Sequence, residues 1–189
     1  MLRALLFTGL IAISVAARAA PTPDSDVNRA SVAEKAKAAA KEAAKEKSYL
    51  EAVVAASLAI AHGDEKAAYE VYLPLAEKGH PDAQYSVGFM TANGKGVKQD
   101  YGEAIKWYRK AADQNHETAQ LSLGLMYRDG KGIRRDLVRA HMWLSLAAAQ
   151  GQREARKRLA ETAAIMTRSQ IAQSQEMMRS WLDQHKDDD

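Results

Sequence analysis

The chain has 189 residues, with 27 Lys+Arg against 24 Asp+Glu for a formal charge of +3, and no cysteine. A balance this close to neutral excludes the basic footprint of a nucleic-acid binder, and the absence of thiols excludes disulfides and a lipoprotein attachment cysteine. Abundant Ala, Lys, Glu, Gln and Leu, with only four Pro, favour helix.

In chain order, Met1-Leu2-Arg3 gives a positive start and residues 4–16 are apolar apart from Thr8, Gly9 and Ser14. Ala17-Arg18-Ala19 then supplies small residues ahead of Ala20. This layout predicts a secretory signal peptide over 1–19, too short for a comfortable membrane span, and hence export to a Gram-negative periplasm. That compartment permits disulfides without requiring them. The segment holds Arg3 and Arg18 and no acid, which leaves 25 basic against 24 acidic residues, or +1, in the mature chain. Pro21-Thr22-Pro23-Asp24 reads as a stiff extended lead. The rest of 20–48 is an Ala/Lys/Glu-rich leader with high helix propensity and no apolar stripe, expected to be solvated or partly helical.

Packing is expected from Tyr49 onward, where Leu50, Val53, Val54, Leu58 and Ala61 recur at helical spacing before His62-Gly63-Asp64 stops one helix and caps the next. Beyond that point the chain repeats every 36 residues. Ala83-Gln84-Tyr85 returns as Ala119-Gln120-Leu121, Gly94-Lys95-Gly96-Val97 as Gly130-Lys131-Gly132-Ile133, and Ala111-Ala112 as Ala147-Ala148. Ala68, Tyr72 and Leu75-Ala76 lie one period before Ala104, Tyr108 and Ala111-Ala112, which marks 49–81 as a degenerate first unit. A fixed period of this length means stacked units, each burying its apolar face against the next. The full units, 82–117 and 118–153, each read as a helix A (about 82–93 and 118–129), a glycine-closed loop and a helix B (about 100–113 and 136–149). Asp100 and Asp136 are N-cap candidates, and Asp100 with Glu103 spells a capping box that Arg139 leaves incomplete in the second unit. Residues 154–184 form a C-terminal cap: Ala155, Leu159 and Ala163 continue the helix A pattern. The box Thr167-Arg168-Ser169-Gln170 opens a last helix with Ile171, Met178, Trp181 and Leu182 on one side. An acidic tail occupies 185–189. The expected fold is all-α, with about four helix pairs.

The string Ala83-x-Tyr85-x-Val87-Gly88-x-Met90, then Gly94-x-Gly96-Val97-x-x-Asp100-x-x-x-Ala104-x-x-Trp107-Tyr108-x-x-Ala111-Ala112, resembles the Sel-one-like repeat, a relative of the tetratricopeptide repeat. Ala119, Leu123-Gly124, Tyr127, Gly130, Gly132, Ile133, Asp136, Ala140, Trp143 and Ala147-Ala148 match it a second time. Thr91 in place of Tyr127, and Asn115 where the family favours glycine, are departures. The resemblance covers about 49–182 and implies a right-handed α-solenoid (a superhelix) of antiparallel helix pairs. It also implies adaptor roles in envelope signalling, secretion and host interaction. Cysteine-rich members are linked to penicillin binding and β-lactamase activity, but their disulfide staples have no counterpart in a chain without cysteine.

No catalytic constellation emerges. His116-Glu117-Thr118-Ala119-Gln120 starts like a zinc motif and ends in Gln, so a second helical ligand is lacking. Neither Gly-x-Ser-x-Gly nor Ser-x-x-Lys occurs, and the Gly-x-Gly pairs are loop punctuation. No cofactor or metal is expected. Trp107 and Trp143 sit inside the repeat signature and read as core.

Surface remains. Tyr85, Ser86 and Phe89, with Leu121, Ser122 and Leu125 one unit on, share one side of successive A helices and form a candidate partner-binding groove. The same residues could pack between superhelix turns. Arg128, Arg134, Arg135, Arg139 and Arg156 form a candidate basic edge for an acidic partner or anionic headgroups. The expected function is a non-enzymatic periplasmic scaffold for a protein or peptide, with no nucleic acid and no membrane span after signal cleavage. A β-lactamase-like or penicillin-binding envelope enzyme and a secreted host-interaction factor are the alternatives.

Overall fold

The computed structural model describes residues 25–185, leaving outside it the expected signal peptide, the lead at 21–24, the last four residues and the side chains of 25–33 and 42–43. The chain divides into two compact units, 1–47 and 48–189. Helix α1 (Ser25–Ala61) contributes to both. In the first unit its described side chains, 34–41 and 44–47, are all exposed, since Ala, Lys and Glu favour helix but offer little to bury.

The second unit is an all-α solenoid. After the last turns of α1 come α2 (Glu65–Glu77), α3 (Pro81–Asn93), α4 (Tyr101–Asp113), α5 (Glu117–Asp129), α6 (Leu137–Ala149), α7 (Arg153–Ala163) and α8 (Arg168–Gln184), with no strand among the described residues. Each helix start has a local cause. Asp64, Asp100 and Asp136 accept the N–H of Ala67, Glu103 and Arg139. At Asp100 the expected box is only half made: the Glu103 carboxylate turns instead to Lys106 Nζ, 2.8 Å away. At Asp136 the residue that spoils the box pairs with the cap, Arg139 Nη1 lying 2.7 Å from Asp136 Oδ2. Thr167 and Gln170 form the complete box.

The loops after α3 and α5 are held by glycines in the left-handed region, Gly94 (φ 68°) and Gly130 (φ 69°) at the helix ends, then Gly96 and Gly132. The second glycine of each loop also permits a close approach. A Cβ on Gly96 would lie 2.3 Å from the Glu65 carbonyl oxygen, and one on Gly132 would lie 2.4 Å from Tyr101 Cβ. Each loop therefore rests on the first residue of the preceding helix B, which fixes the stacking of units. Asn115 takes φ 63° where Gly79 and Gly151 stand in neighbouring units. Asn is the non-glycine residue best suited to that region, which accounts for the departure from the repeat.

The core runs through the unit as successive clusters. Ala68, Tyr72, Val87, Met90 and Trp107 fill the first, and Tyr108, Leu123, Tyr127, Trp143 and Trp181 the second. Leu121, Leu144, Ala147 and Ala155 make the third. Trp107 and Trp143 are both buried. The α1 face differs from expectation. Of Leu50, Val53, Val54, Leu58 and Ala61, only Val53 packs on the core, with Tyr49, Ala52, Ala56 and Ala59, while Leu50, Val54 and Leu58 are 54%, 58% and 58% exposed. The cause is Tyr49, which stacks on His80 with ring centroids 4.4 Å apart and sets the rotation of the helix. One period later Tyr85 stacks on His116 at 5.0 Å, so α1 from Tyr49 is the helix A of the degenerate unit.

At the other end, α7 packs on α6 as a helix A should, but α8 lies on α6 and does not return along α7. Its Trp181 meets Trp143 edge-on at 6.0 Å, and Met177 and Met178 pack beside it. Leu182, expected on the same side, is 43% exposed.

Candidate functional site

Tyr85, Ser86 and Phe89 gather on α3 as the sequence spacing predicts. They line an apolar recess of about 230 Å³ with Ile60, Tyr72 and Met90. Lys95 Nζ and a Glu65 carboxylate oxygen, 2.7 Å apart, close its polar rim. Ile60 and Phe89 are 49% and 41% exposed, so the recess is an apolar surface open to solvent. Tyr85 is half-buried, and burial raises its hydroxyl pKa above the ordinary value.

The second half of the expected groove does not join it. Leu121 is buried against Leu144, Ala147 and Ala155, with Leu125 and Leu159 packed on the same cluster. The arrival of α7 covers this face, and Leu121 is corrected from partner-binding to core. Ser86 and Ser122 each donate to a carbonyl four residues back in their own helices, Asp82 and Thr118, both at 2.8 Å.

The basic edge is also divided. Arg128 turns away to Asp129 and Glu161, and Arg156 lies on α7. Arg134, Arg135 and Arg139 instead line a concavity of about 700 Å³ with Tyr127, Ile133, Leu137 and Val138. The structure adds two residues that the sequence reading missed, Arg109 from α4 and Gln170 from α8. Arg109 Nη2 donates to the Tyr127 hydroxyl, and the Arg139 guanidinium stands over the Tyr127 ring, 5.9 Å from its centroid. Arg135 Nε donates to the Arg128 carbonyl at 3.0 Å. The missed signal was a difference between repeats: one period after Arg109 the chain has Ser145.

Two of the histidines are engaged in contacts that hold the fold. His116 Nδ1 accepts the Ala119 N–H at 3.1 Å, which leaves the ring proton on Nε2 to face Asp82 Oδ1, also at 3.1 Å. Both nitrogens of the apparent zinc motif are thus engaged in capping and bracing α5. His141 and Ser174 lie 2.6 Å apart, Nδ1 to Oγ, but Ser174 is fully buried between α6 and α8, beyond reach of a substrate. Among the described residues no three His, Asp or Glu side chains cluster to hold a metal, and no helix is long and apolar enough to cross a membrane.

The Sel1 repeat family model matches residues 81–116 and 118–152. Among solved structures, the chain is similar to a protective antigen present in uropathogenic Escherichia coli strains, displaying an SLR fold. The identity is 27% and the TM-score 0.68, over 76% of this chain and 32% of that one. It is also similar to a Sel1 repeat protein from Oxalobacter formigenes, at 35% identity and TM-score 0.48 over 50% of this chain and 39% of that one. The chain therefore spans about a third of the length of the first of these. No curated protein matches.

Proposed function

We propose that this chain, whose residues 81–116 and 118–152 match the Sel1 repeat model and whose fold is similar to that of an SLR protein, is an exported scaffold that holds a protein partner in an envelope process. Sel1 repeats mediate protein–protein interaction, and the observation that supports a specific docking point is the open apolar recess of Ile60, Tyr85 and Phe89. Aromatic and aliphatic side chains exposed around a concavity favour capture of an apolar anchor from a partner. In a pull-down from cell extract with purified protein as bait, Phe89→Asp combined with Ile60→Asp should remove partners while helical circular dichroism persists. Undiminished capture would rule out the recess.

Export rests on the N-terminal pattern of Arg3, the apolar run and Ala17-Arg18-Ala19. Protein recovered from a periplasmic extract should begin at Ala20; an N-terminus at Met1 would overturn cleavage. A secreted factor for contact with a host is a second reading, favoured by the description of the E. coli neighbour as a protective antigen. Material in culture supernatant, at levels above a cytoplasmic marker, would select it.

A further inference from the structure

We propose that the arginine concavity between α4, α6 and the α5–α6 loop is a second recognition point, built for an acidic segment of a partner polypeptide. It does not rest on the apolar recess, which is lined by α1, α2 and α3. Four guanidinium groups line it, from Arg109, Arg134, Arg135 and Arg139, and among the lining residues Asp136 carries the single carboxylate. Asp136 is engaged twice over, capping α6 through the Arg139 N–H and pairing with the Arg139 side chain. The concavity thus holds three positive charges in excess, within a chain whose total is +3.

Three of the four arginines are held in place, Arg135 by the bond from its Nε to the Arg128 carbonyl. Arg109 is tied to the Tyr127 hydroxyl and Arg139 is tied to Asp136 over the Tyr127 ring, so ordering them on a ligand costs less side-chain entropy. Arg134 is exposed and makes no hydrogen bond or ion pair among the described residues. The planar fork of arginine suits a carboxylate, which accepts two parallel N–H bonds. The first full unit has no such site. One period before Arg134, Arg135 and Arg139 the chain carries Lys98, Gln99 and Glu103, and one period before Arg109 it carries Leu73.

The surroundings favour a peptide over other polyanions. Arg109 and Arg139 also line an adjoining recess of about 460 Å³ in which Met142, Trp143, Met177 and Trp181 stand beside Asp113, Ser180, Gln184 and His185. Guanidinium groups shared between a charged concavity and one of mixed polar and apolar lining fit a polypeptide, whose side chains change character along the chain, better than a uniform polyanion. A nucleic acid or an anionic membrane is better met by an extended basic field, which a near-neutral chain does not provide.

The test is fluorescence anisotropy of labelled hexaglutamate titrated with the protein at low salt. Saturable binding should weaken about tenfold or more in the Arg109→Gln/Arg139→Gln double variant. Arg134→Gln, which disturbs no internal contact, should weaken it about twofold to fivefold and guards against misfolding of the double variant. Arg153→Gln/Lys157→Gln, equal in charge change but outside the concavity, should leave it unchanged, as should Phe89→Asp in the apolar recess. Equal weakening by Arg153→Gln/Lys157→Gln, or no effect of Arg134→Gln and the double variant, would overturn the site. Tighter binding of phosphatidylglycerol vesicles or of an oligothymidylate than of hexaglutamate, lost in the same arginine variants, would overturn the peptide assignment.

Discussion

Thr91 and Tyr127 hold the same place in successive repeats, and the exchange has opposite consequences at the two sites. The Tyr127 hydroxyl accepts a bond from Arg109, whereas Thr91 Oγ1 is buried with no partner among the described residues. A buried hydroxyl without a bond is costly, so Thr91→Val should raise stability by about 1 kcal/mol, read as a higher urea midpoint at unchanged slope. His141 offers a pH handle. Burial between α6 and α8 lowers its pKa below the ordinary 6.5, so the unfolded chain binds this proton more readily than the folded one. Stability should therefore be complete above about pH 6.5 and fall as the pH drops from there toward the lower folded value. His141→Gln should flatten that part of the profile; an unchanged slope would assign it to other groups. The Ser174 hydroxyl at 2.6 Å stays with the histidine as a structural bond, its burial denying it a nucleophilic role.

Between helices, the units are joined by a glutamine ladder that repeats with the period. Gln84 Nε2 donates to the Ala76 carbonyl and Gln120 Nε2 to the Ala112 carbonyl, both at 3.2 Å. Gln114 and Gln150 donate in turn to Gln84 and Gln120, both at 2.8 Å. Gln84 and Gln120 are 4% and 0% exposed. The ladder adds a second bond to carbonyls at the ends of α2 and α4 that already accept the Gly79 and Asn115 N–H, and so ties each helix end to the next unit. Gln120→Ala should cost about 1–3 kcal/mol in chemical denaturation, because it empties a fully buried position and removes the side-chain bonds to the Ala112 carbonyl, Asn115 and Gln150. Gly132→Ala acts on the same joint from the loop side, where it meets both a left-handed φ and Tyr101. A loss of about 1–3 kcal/mol is expected from the backbone strain alone, measured as a fall in melting temperature. A neutral result would mean that the loop moves off α4 without penalty.

For the whole of the second unit, the placing of α7 and α8 determines which surfaces stay open. The cover of α7 takes Leu121 into the core, and Trp181 anchors α8 on Trp143 while its Nε1 faces Asp113 of α4 at 3.5 Å. Trp181→Ala should cost about 3–5 kcal/mol, seen as lost cooperativity or a lower melting temperature. Much of this architecture was legible beforehand. The 36-residue return of glycines and alanines, with aspartates ahead of the B helices, places α3 to α6 to within a residue, because capping and close packing are demands met locally. The buried side of α1 was not legible, since Leu50, Val54 and Leu58 look as apolar as Tyr49, Ala52 and Val53. The ring stack of Tyr49 on His80 selects between them, and it forms between residues 31 apart. The candidate site divides in the same way. Tyr85 and Phe89, and Arg134, Arg135 and Arg139, stand together in sequence, and their spacing alone joins them. Arg109, Gln170 and Ile60 reach the same concavities from other helices. The sequence by itself determined the repeat, the helices and the absence of disulfide chemistry. Only the tertiary structure decided which apolar and basic residues face solvent, because exposure depends on which helix arrives to cover them, and α7 and α8 do so through contacts that no local periodicity encodes.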